Sequence, residues 1–543
     1  MQQVNRIIPL ASGLLAVLLL LAILAGCTGS GDANGEKKND GQTSGQSGND
    51  GTGKPTEPVK LSIMVTSRVP DSPLTMETPF WKELGKRLNI EFEFVTGDYD
   101  QLEQKFKLML ASGDYPDIVA LNTELFKKYG PQGAFIPLND LVKQHGPNIQ
   151  KYLLDDPTKR MMALSSDGNL YGVPLQTAIR ASEGYMIRQD WLDRLGLKKP
   201  VTIDDWHTVL KAFKDQDANG NGDPNDEIPL MTDYAAYTTF ADAWGIHIHP
   251  SGPRWIEEDD TIKFSPIDPR LKDYLKTMNQ WYAEGLLDKE FLTRQDPDLE
   301  RMMFSDRMGA GQHWIGYMAA YNANPAAEKI KGFNLQVVAP PVLREGDQPM
   351  TFRQQAPLHG IGWAISKNNQ HPEETMKLFD YIYGEEGQRL ANFGFEEDTF
   401  TLGEGDKPVF TEKIMKSPEG PAKALWRLGI VPLIGFRQDE QYERQYAVTK
   451  DVEKQMFFYV ENNYFHDLFL ALNFTEEEEK RLNDIRTPMF TYIDEMIPKF
   501  IIGTEKLDNF DDYVAKVKSM RYSEMEEIYM AAYDRYKKQL NEG

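Results

Sequence analysis

The sequence predicts an α/β chain of two lobes, each with a mainly parallel sheet flanked by helices, and a helical C-terminal part. Three observations lead there. Between residues 60 and 122 alternating apolar runs and helical stripes follow in the order strand, helix, strand, helix, strand. The same alternation resumes after Tyr171. The body beyond the first 57 residues is about 485 residues long, more than one ordinary domain.

KLSIMVT (60–66) alternates as a half-buried strand does, and TPFWKELGKRL (78–88) reads as a helix. IEFEFVT (90–96) alternates again. YDQLEQKFKLMLASGD then sets Leu102, Phe106, Leu108 and Leu110 in a helical stripe that stops at Gly113. PDIVALN (116–122) is a short, more continuously apolar strand. Ligands gather at the C-terminal ends of strands in such sheets, which puts loops 97–100 and 122–124 near a candidate site. Farther on, Thr202 and Asp205 form a capping-box pattern ahead of Trp206, Val209, Leu210 and Phe213. Two more strand signals are GFNLQVVAPP and GIGWAISKNN, the second followed by the helical HPEETMKLFDYIYGEEGQ. Thr475 and Glu478 form another capping box before the helical last 70 residues. No internal repeat is present.

The N-terminus is a secretory signal in form: Arg6, an apolar run over 14–24, then small residues. Leu24-Ala25-Gly26-Cys27 resembles the lipobox of bacterial lipoproteins, which implies cleavage before Cys27 and diacylation of its sulfur. Cys27 is the only cysteine in the chain, so no disulfide framework supports the body. Residues 28–58 are Gly, Ser, Asn, Asp and Lys with almost no apolar side chain, a flexible tether. About 30 such residues reach roughly 30 Å on average and about 100 Å when taut. A net charge of −23 disfavours nucleic acid and anionic lipid as partners of the body.

Residues 217–227, within DANGNGDPNDEI, crowd Asp, Asn and Glu oxygens around two glycines, with no His or Cys nearby. An all-oxygen set suits a hard cation such as Ca²⁺, and glycine allows the sharp turn. Two registers of an EF-hand-like loop fit. One starts at Asp215 and uses Asp217, Asn219 and Asp226; the other starts at Asp217 and uses Asn219, Asn221, Asp223, Asp226 and Glu227. A polar Asn-Gly turn without an ion is the plain alternative.

Signs of catalysis are few. There is no HExxH, no GxSxG in the body and no phosphate-binding glycine loop. His247 and His249 alternate without a third metal ligand. Glu396-Glu397-Asp398 is a carboxylate run of the kind a glycoside hydrolase uses, though a solvated turn is the simpler reading. A secreted polysaccharide hydrolase and a cell-surface carbohydrate-binding or adhesion protein are the competing functions.

Several segments, in order along the body, resemble the extracellular solute-binding lipoproteins of ABC importers, in the branch of large oligosaccharide-binding lipoproteins. They are SGDYPDIVALN (112–122), DGNLYGVP (167–174), IRQDWLDRLGLKKPVTIDDW (187–206), the loop ending DEIPL, GIGWAISKNNQHPEETMKLFDYI (360–382) and AAYDRYKK. The resemblance implies a two-lobed, type II periplasmic-binding-protein-like fold, with lobe 1 over 58–178 plus 357–395 and lobe 2 over 179–356 plus 396–543. It implies capture of an oligosaccharide for an ABC permease, a monomeric non-enzymatic body, and a membrane attachment through Cys27 outside the cytoplasm. It also implies a structural Ca²⁺ held by Asp217, Asn219, Asn221, Asp223 (by carbonyl), Asp226 and Glu227. The stretch 223–225 is one residue longer than the family pattern, which leaves the role of Asn225 open.

A sugar cleft needs flat aromatic faces and planar hydrogen-bonding groups. Trp314 after GAGQH, Trp363 in GIGWAIS and Trp244 in FADAWG are the aromatic candidates. Asp98, Asn122, Arg180 and Arg188 are the polar ones; a guanidinium fork matches a uronate carboxylate, and a buried salt bridge is its alternative. Trp191, Trp206 and Trp281 lie on helical apolar faces and are expected in the core.

Overall fold

The computed structural model describes residues 57–178, 183–232, 236–250, 252, 254–294, 296–322, 324–445, 449–466 and 472–542. The signal peptide (1–26), Cys27 with the tether (27–57, apart from its last residue), and Arg180 lie outside them.

The order predicted for residues 60–122 is present. Strand β1 (Val59–Thr66), the helix Pro79–Leu88, β2 (Ile90–Gly97), the helix Tyr99–Ser112 and β3 (Ile118–Asn122) follow one another. Asn89 (φ 55°) and Gly113 (φ 73°) end the two helices in the left-handed conformation, which turns the chain sharply into the next strand. Next come β4 (Val173–Gln176), β5 (Glu183–Arg188), β6 (Ile228–Met231), the hairpin β7 (Trp255–Glu258) and β8 (Thr261–Phe264), then β9 (Met308–Trp314), β10 (Leu335–Val338) and β11 (Leu358–Ile365). A small hairpin, β12 (Phe400–Leu402) with β13 (Pro408–Phe410), follows, and helices complete the chain.

Two sheets carry the architecture, in the orders β2-β1-β3-β11-β4 and β10-β5-β9-β6. They are mixed, which corrects the expectation of mainly parallel sheets. In the first, β1 pairs parallel with β2 and β3, while β11 is antiparallel to both β3 and β4. In the second, β5 is antiparallel to β10 and β9, and β6 is parallel to β9. Each sheet therefore has one reversed strand, and in each case it is a strand on which the chain enters from the other sheet. β5 follows the passage from β4, and β11 follows the return from β10.

Both faces of the first sheet are covered. Trp81 packs edge-on against Phe80 and Phe92 on one face, while Phe106 stacks on Phe135 with ring centroids 5.6 Å apart on the other. Burial on both faces explains why β3 is continuously apolar. The second core holds Trp191, Trp206 and Trp281, all buried as expected; Trp206 and Trp281 pack edge-on to Phe240 and Trp191 to Phe213. The C-terminal helices Glu476–Ile502, Phe510–Ser519 and Tyr522–Glu542 add Ile493, Phe500, Tyr513 and Met525 to it. The segment after 396 departs from the boundary expected for lobe 2. Phe400, Phe410, Leu425, Ile430 and Tyr442 pack into the core of the first sheet, because the 12-13 hairpin lies against Phe393.

Candidate functional site

Strand direction decides where a site can form. β1, β2, β3 and β4 all run the same way, so Thr66, Gly97, Asn122 and Gln176 end at one edge of the first sheet. Reversed β11 begins at that edge, with Leu358 opposite Gln176 and Ile361 opposite Asn122. Gln176 also bridges Arg437, which brings in the chain beyond the second core's return. In the second sheet β9 ends and β5 begins at one edge, where Trp314 pairs with Glu183. Gln176 and Glu183 are joined by a passage no longer than about 25 Å even if extended, so these two edges lie near each other. The return passage runs alongside the first: Thr177 donates from its backbone to Pro357 and from its hydroxyl to Ala356 (2.9 Å), and Arg353 is ion-paired with Glu183.

At the first sheet's edge lies a cavity of ≈ 170 Å³ lined by Arg68, Leu175, Gln355, His359, Leu433, Gln438 and Glu443. A neighbouring one of ≈ 100 Å³ shares His359 and is walled by Thr123, Glu124, Lys127 and Tyr171. The Arg68 guanidinium lies over the Trp426 ring, 5.0 Å from its centroid. Burial, with the field of Arg68, lowers the pKa of His359, and its Nδ1 is buried without a hydrogen-bond partner. Burial pushes Glu443 up to about 7 against the opposing pull of Arg68. Planar amides, an imidazole, a guanidinium and a carboxyl beside two leucines and a tryptophan form a lining suited to a polyhydroxylated ligand.

Of the sequence candidates, Trp314 stands at this pair of edges and is 39% exposed at the end of β9. Trp363 does not reach a cleft. It sits mid-β11 opposite Ala120 and Val173, is 0% exposed, and stacks on Phe379 at 4.0 Å. Trp244 ends a 3₁₀ turn but points inward, edge-on to Tyr274 at 5.6 Å, within the second core. Arg188 is fully buried between Asp190 (2.6 Å) and Asp306 (2.6 Å) and lies over Trp191 and Phe333, so the salt-bridge alternative holds. Asp98 and Asn122 lie at the predicted strand ends, but their oxygens cap helices. Asp98 accepts from the Gln101 backbone (2.8 Å) and Asn122 from that of Glu124 (2.9 Å). Arg68, Gln355, His359, Trp426, Gln438 and Glu443 were not legible as candidates. Only Arg68 had a signal, since it follows the C-terminal end of β1 and the strand-end rule applies there too.

The acidic loop 217–227 links the helix Ile203–Asp215 to β6. Gly220 (φ 77°) and Gly222 (φ 93°) adopt the left-handed turns it requires. Asp226 accepts from the Asn219 (3.1 Å) and Asn221 (3.0 Å) side chains, and Glu227 Oε1 accepts from the Ala218 backbone at 2.9 Å. Asp217 Oδ1 and Glu227 Oε2 are buried without a hydrogen-bond partner, and burial, with Asp226 adjacent, raises the pKa of Glu227. Buried carboxylate oxygens left unsatisfied beside further oxygens fit a hard cation. Among the described residues no three His, Cys, Asp or Glu side chains are gathered in a metal-holding cluster, so Asn and backbone oxygens would complete the set.

Asp398 of the 396–398 run is paired with Lys413 at 2.6 Å, and Glu397 has the left-handed φ of a turn. His247 and His249 are buried, the first 3.5 Å from Asp242.

A family model described as bacterial extracellular solute-binding protein matches residues 69–389. The chain is similar to the fructooligosaccharide ABC transporter substrate-binding protein FusA of Streptococcus pneumoniae, 24% identical, covering 97% of this chain and 98% of that one. It is 26% identical to the polygalacturonan/rhamnogalacturonan-binding protein YtcQ of Bacillus subtilis, over 96% of this chain and 98% of that one. Among solved structures, the alginate-binding protein AlgQ2 without calcium ion superimposes with a TM-score of 0.68 at 30% identity, covering 88% of this chain and 98% of that one.

Proposed function

The chain belongs to the bacterial extracellular solute-binding proteins, and from that premise we propose that it is the receptor of an ABC importer, capturing an oligosaccharide and passing it on unaltered. The observation that carries this is the pairing of a polar cavity at one sheet edge with exposed Trp314 at the other, across the two crossing segments. A ligand seated between such edges contacts both sheets only when they approach, so binding favours a closed form that a permease can distinguish from the empty one. Relatives named for fructooligosaccharide and polygalacturonan binding support an oligosaccharide as the ligand class.

Loop 217–227 holds Ca²⁺ in this reading, through Asp217, Asn219, Asn221, the Asp223 carbonyl, Asp226 and Glu227. The ion would offset the crowded carboxylates and brace the start of β6; it takes no part in ligand contact. Cys27 carries the lipid in this reading. The body acts as a monomer. Deleting the gene tests the function. Loss of oligosaccharide uptake with unchanged extracellular cleavage is expected, whereas loss of cleavage would favour a hydrolase.

A further inference from the structure

We infer that the two cavities sharing His359 are consecutive subsites for one ligand, which lies across the edge of the first sheet with the imidazole between two of its sugar units. This rests on the receptor reading and adds how the ligand is divided and held at that sheet.

The seam between β4 and β11 opens beside His359. Leu358 pairs with Gln176 and Gly362 with Pro174, so four steps along β11 oppose two along β4. The surplus residues bulge out, and a bulge re-aims the side chains it carries. Two glycines mark the opening. A Cβ on Gly362 would lie 2.5 Å from the Val173 carbonyl oxygen, whereas one on Gly360 would meet nothing within 4 Å. Pro174 and Leu175 follow each other on β4 and so point to opposite faces. Pro174 lines the smaller cavity and Leu175 the larger, which sets the two on either side of the seam. His359 lines both.

Each cavity is small. At ≈ 100 and ≈ 170 Å³ they fall short of the roughly 300–1,000 Å³ of a pocket that encloses a whole ligand. A chain of sugar units fills such spaces one unit at a time. The larger cavity includes Gln355 of the return passage and the smaller has no residue of it, so the smaller takes the end unit. Thr123, Glu124 and Lys127 give that end a polar wall. The imidazole between the cavities suits the link. Burial, with the field of Arg68, lowers its pKa, so in neutral solution one ring nitrogen donates and the other accepts. Its Nδ1 is buried without a hydrogen-bond partner, which costs the empty protein free energy. A sugar hydroxyl both donates and accepts, and so satisfies that nitrogen in either tautomer.

The test is a calorimetric titration of the intact protein at neutral pH with two length ladders, fructo-oligosaccharides and oligogalacturonates, each from the monosaccharide upward. In at least one ladder, wild-type affinity is expected to rise with length until both cavities are filled. Gly360→Leu grows into the open space of the smaller cavity, so its ligand-free melting temperature should stay near wild type. It should shorten by one unit the length at which affinity stops rising, and leave the shorter sugars unaffected. His359→Phe keeps a flat ring and removes both nitrogens. It should weaken the sugars that fill both cavities by about tenfold, the upper range of a neutral hydrogen bond, without lowering the melting temperature. A wild-type ladder that is flat with length overturns the inference. So does a Gly360→Leu protein that matches wild type at every length or loses equally at every length, and so does a His359→Phe protein that binds like wild type. Each of these leaves the receptor reading intact. Binding of no oligosaccharide from either ladder overturns both.

Discussion

Two arginines stand at strand ends, Arg188 closing β5 in the second sheet and Arg68 just beyond β1 in the first. Their surroundings differ in one respect. Arg188 meets Asp190 and Asp306 within hydrogen-bonding distance and has no exposed surface, whereas Arg68 lies on a tryptophan at the wall of a cavity. The first is a fastening between the start of a helix and the turn before β9; the second is placed where a ligand can reach it. The tryptophans divide in the same way, Trp363 under Phe379 and Trp314 in the open. A strand end thus does not by itself make a residue functional. What matters is whether it is sealed inside the fold, as Arg188 is, or lies at the wall of a cavity, as Arg68 does.

The sharpest way to break this comparison is to remove the fastening. Arg188→Ala should cost about 3–5 kcal/mol of stability, because the nearly buried Asp190 and the partly exposed Asp306 lose the counter-charge of a fully buried guanidinium, and chemical denaturation measures it. A variant that unfolds like wild type yet no longer binds sugar would reverse the assignment. Trp363→Ala should cost a comparable amount, about 3–5 kcal/mol, through the cavity it leaves. Its exposed counterpart, Trp314→Ala, should melt normally and weaken ligand binding by about 1–3 kcal/mol, as truncated aromatic anchors do. Chelation should lower the melting temperature, by the equivalent of about 2.7 kcal/mol if Ca²⁺ stands at a hundred times its Kd. Asn221→Ala should shift melting the same way without altering sugar affinity in the presence of the ion.

A pH-dependent effect concerns Glu443. Its folded pKa lies above the ordinary carboxylate value of 4.5, near 7, so the folded state holds the proton longer than the unfolded chain. Its contribution to stability is therefore present below about 4.5 and is lost as the pH rises through about 7. Wild type should lose stability relative to Glu443→Gln across that window, and parallel melting curves at each pH would contradict this.

Local features of the fold were legible because their causes are local. Both capping boxes form as read, at Thr202 with Asp205 and at Thr475 with Glu478, and Gly113 ends its helix as expected. The sense of strand pairing was not legible, because it depends on where the chain crosses between sheets. Trp363 was misplaced for a related reason. Alternation along β11 separates two faces, but both faces of that sheet are covered, so neither exposes its tryptophan. Asp98 and Asn122 were correctly put at the edge, yet the same short side chains that suit a sugar also suit a helix N-terminus. Arg68, His359 and Glu443 lie far apart in sequence and converge only when β1, β11 and the helix Glu440–Gln445 come together at one edge.

The central claim is that this protein binds an oligosaccharide and releases it whole. Calorimetric titration with the sugars named above, followed by mass analysis of the sugar recovered from the cell, tests it most directly. The account predicts saturable binding at one site per chain and a recovered sugar of unchanged length. A shortened sugar, or heat that never saturates with any of them, would contradict it.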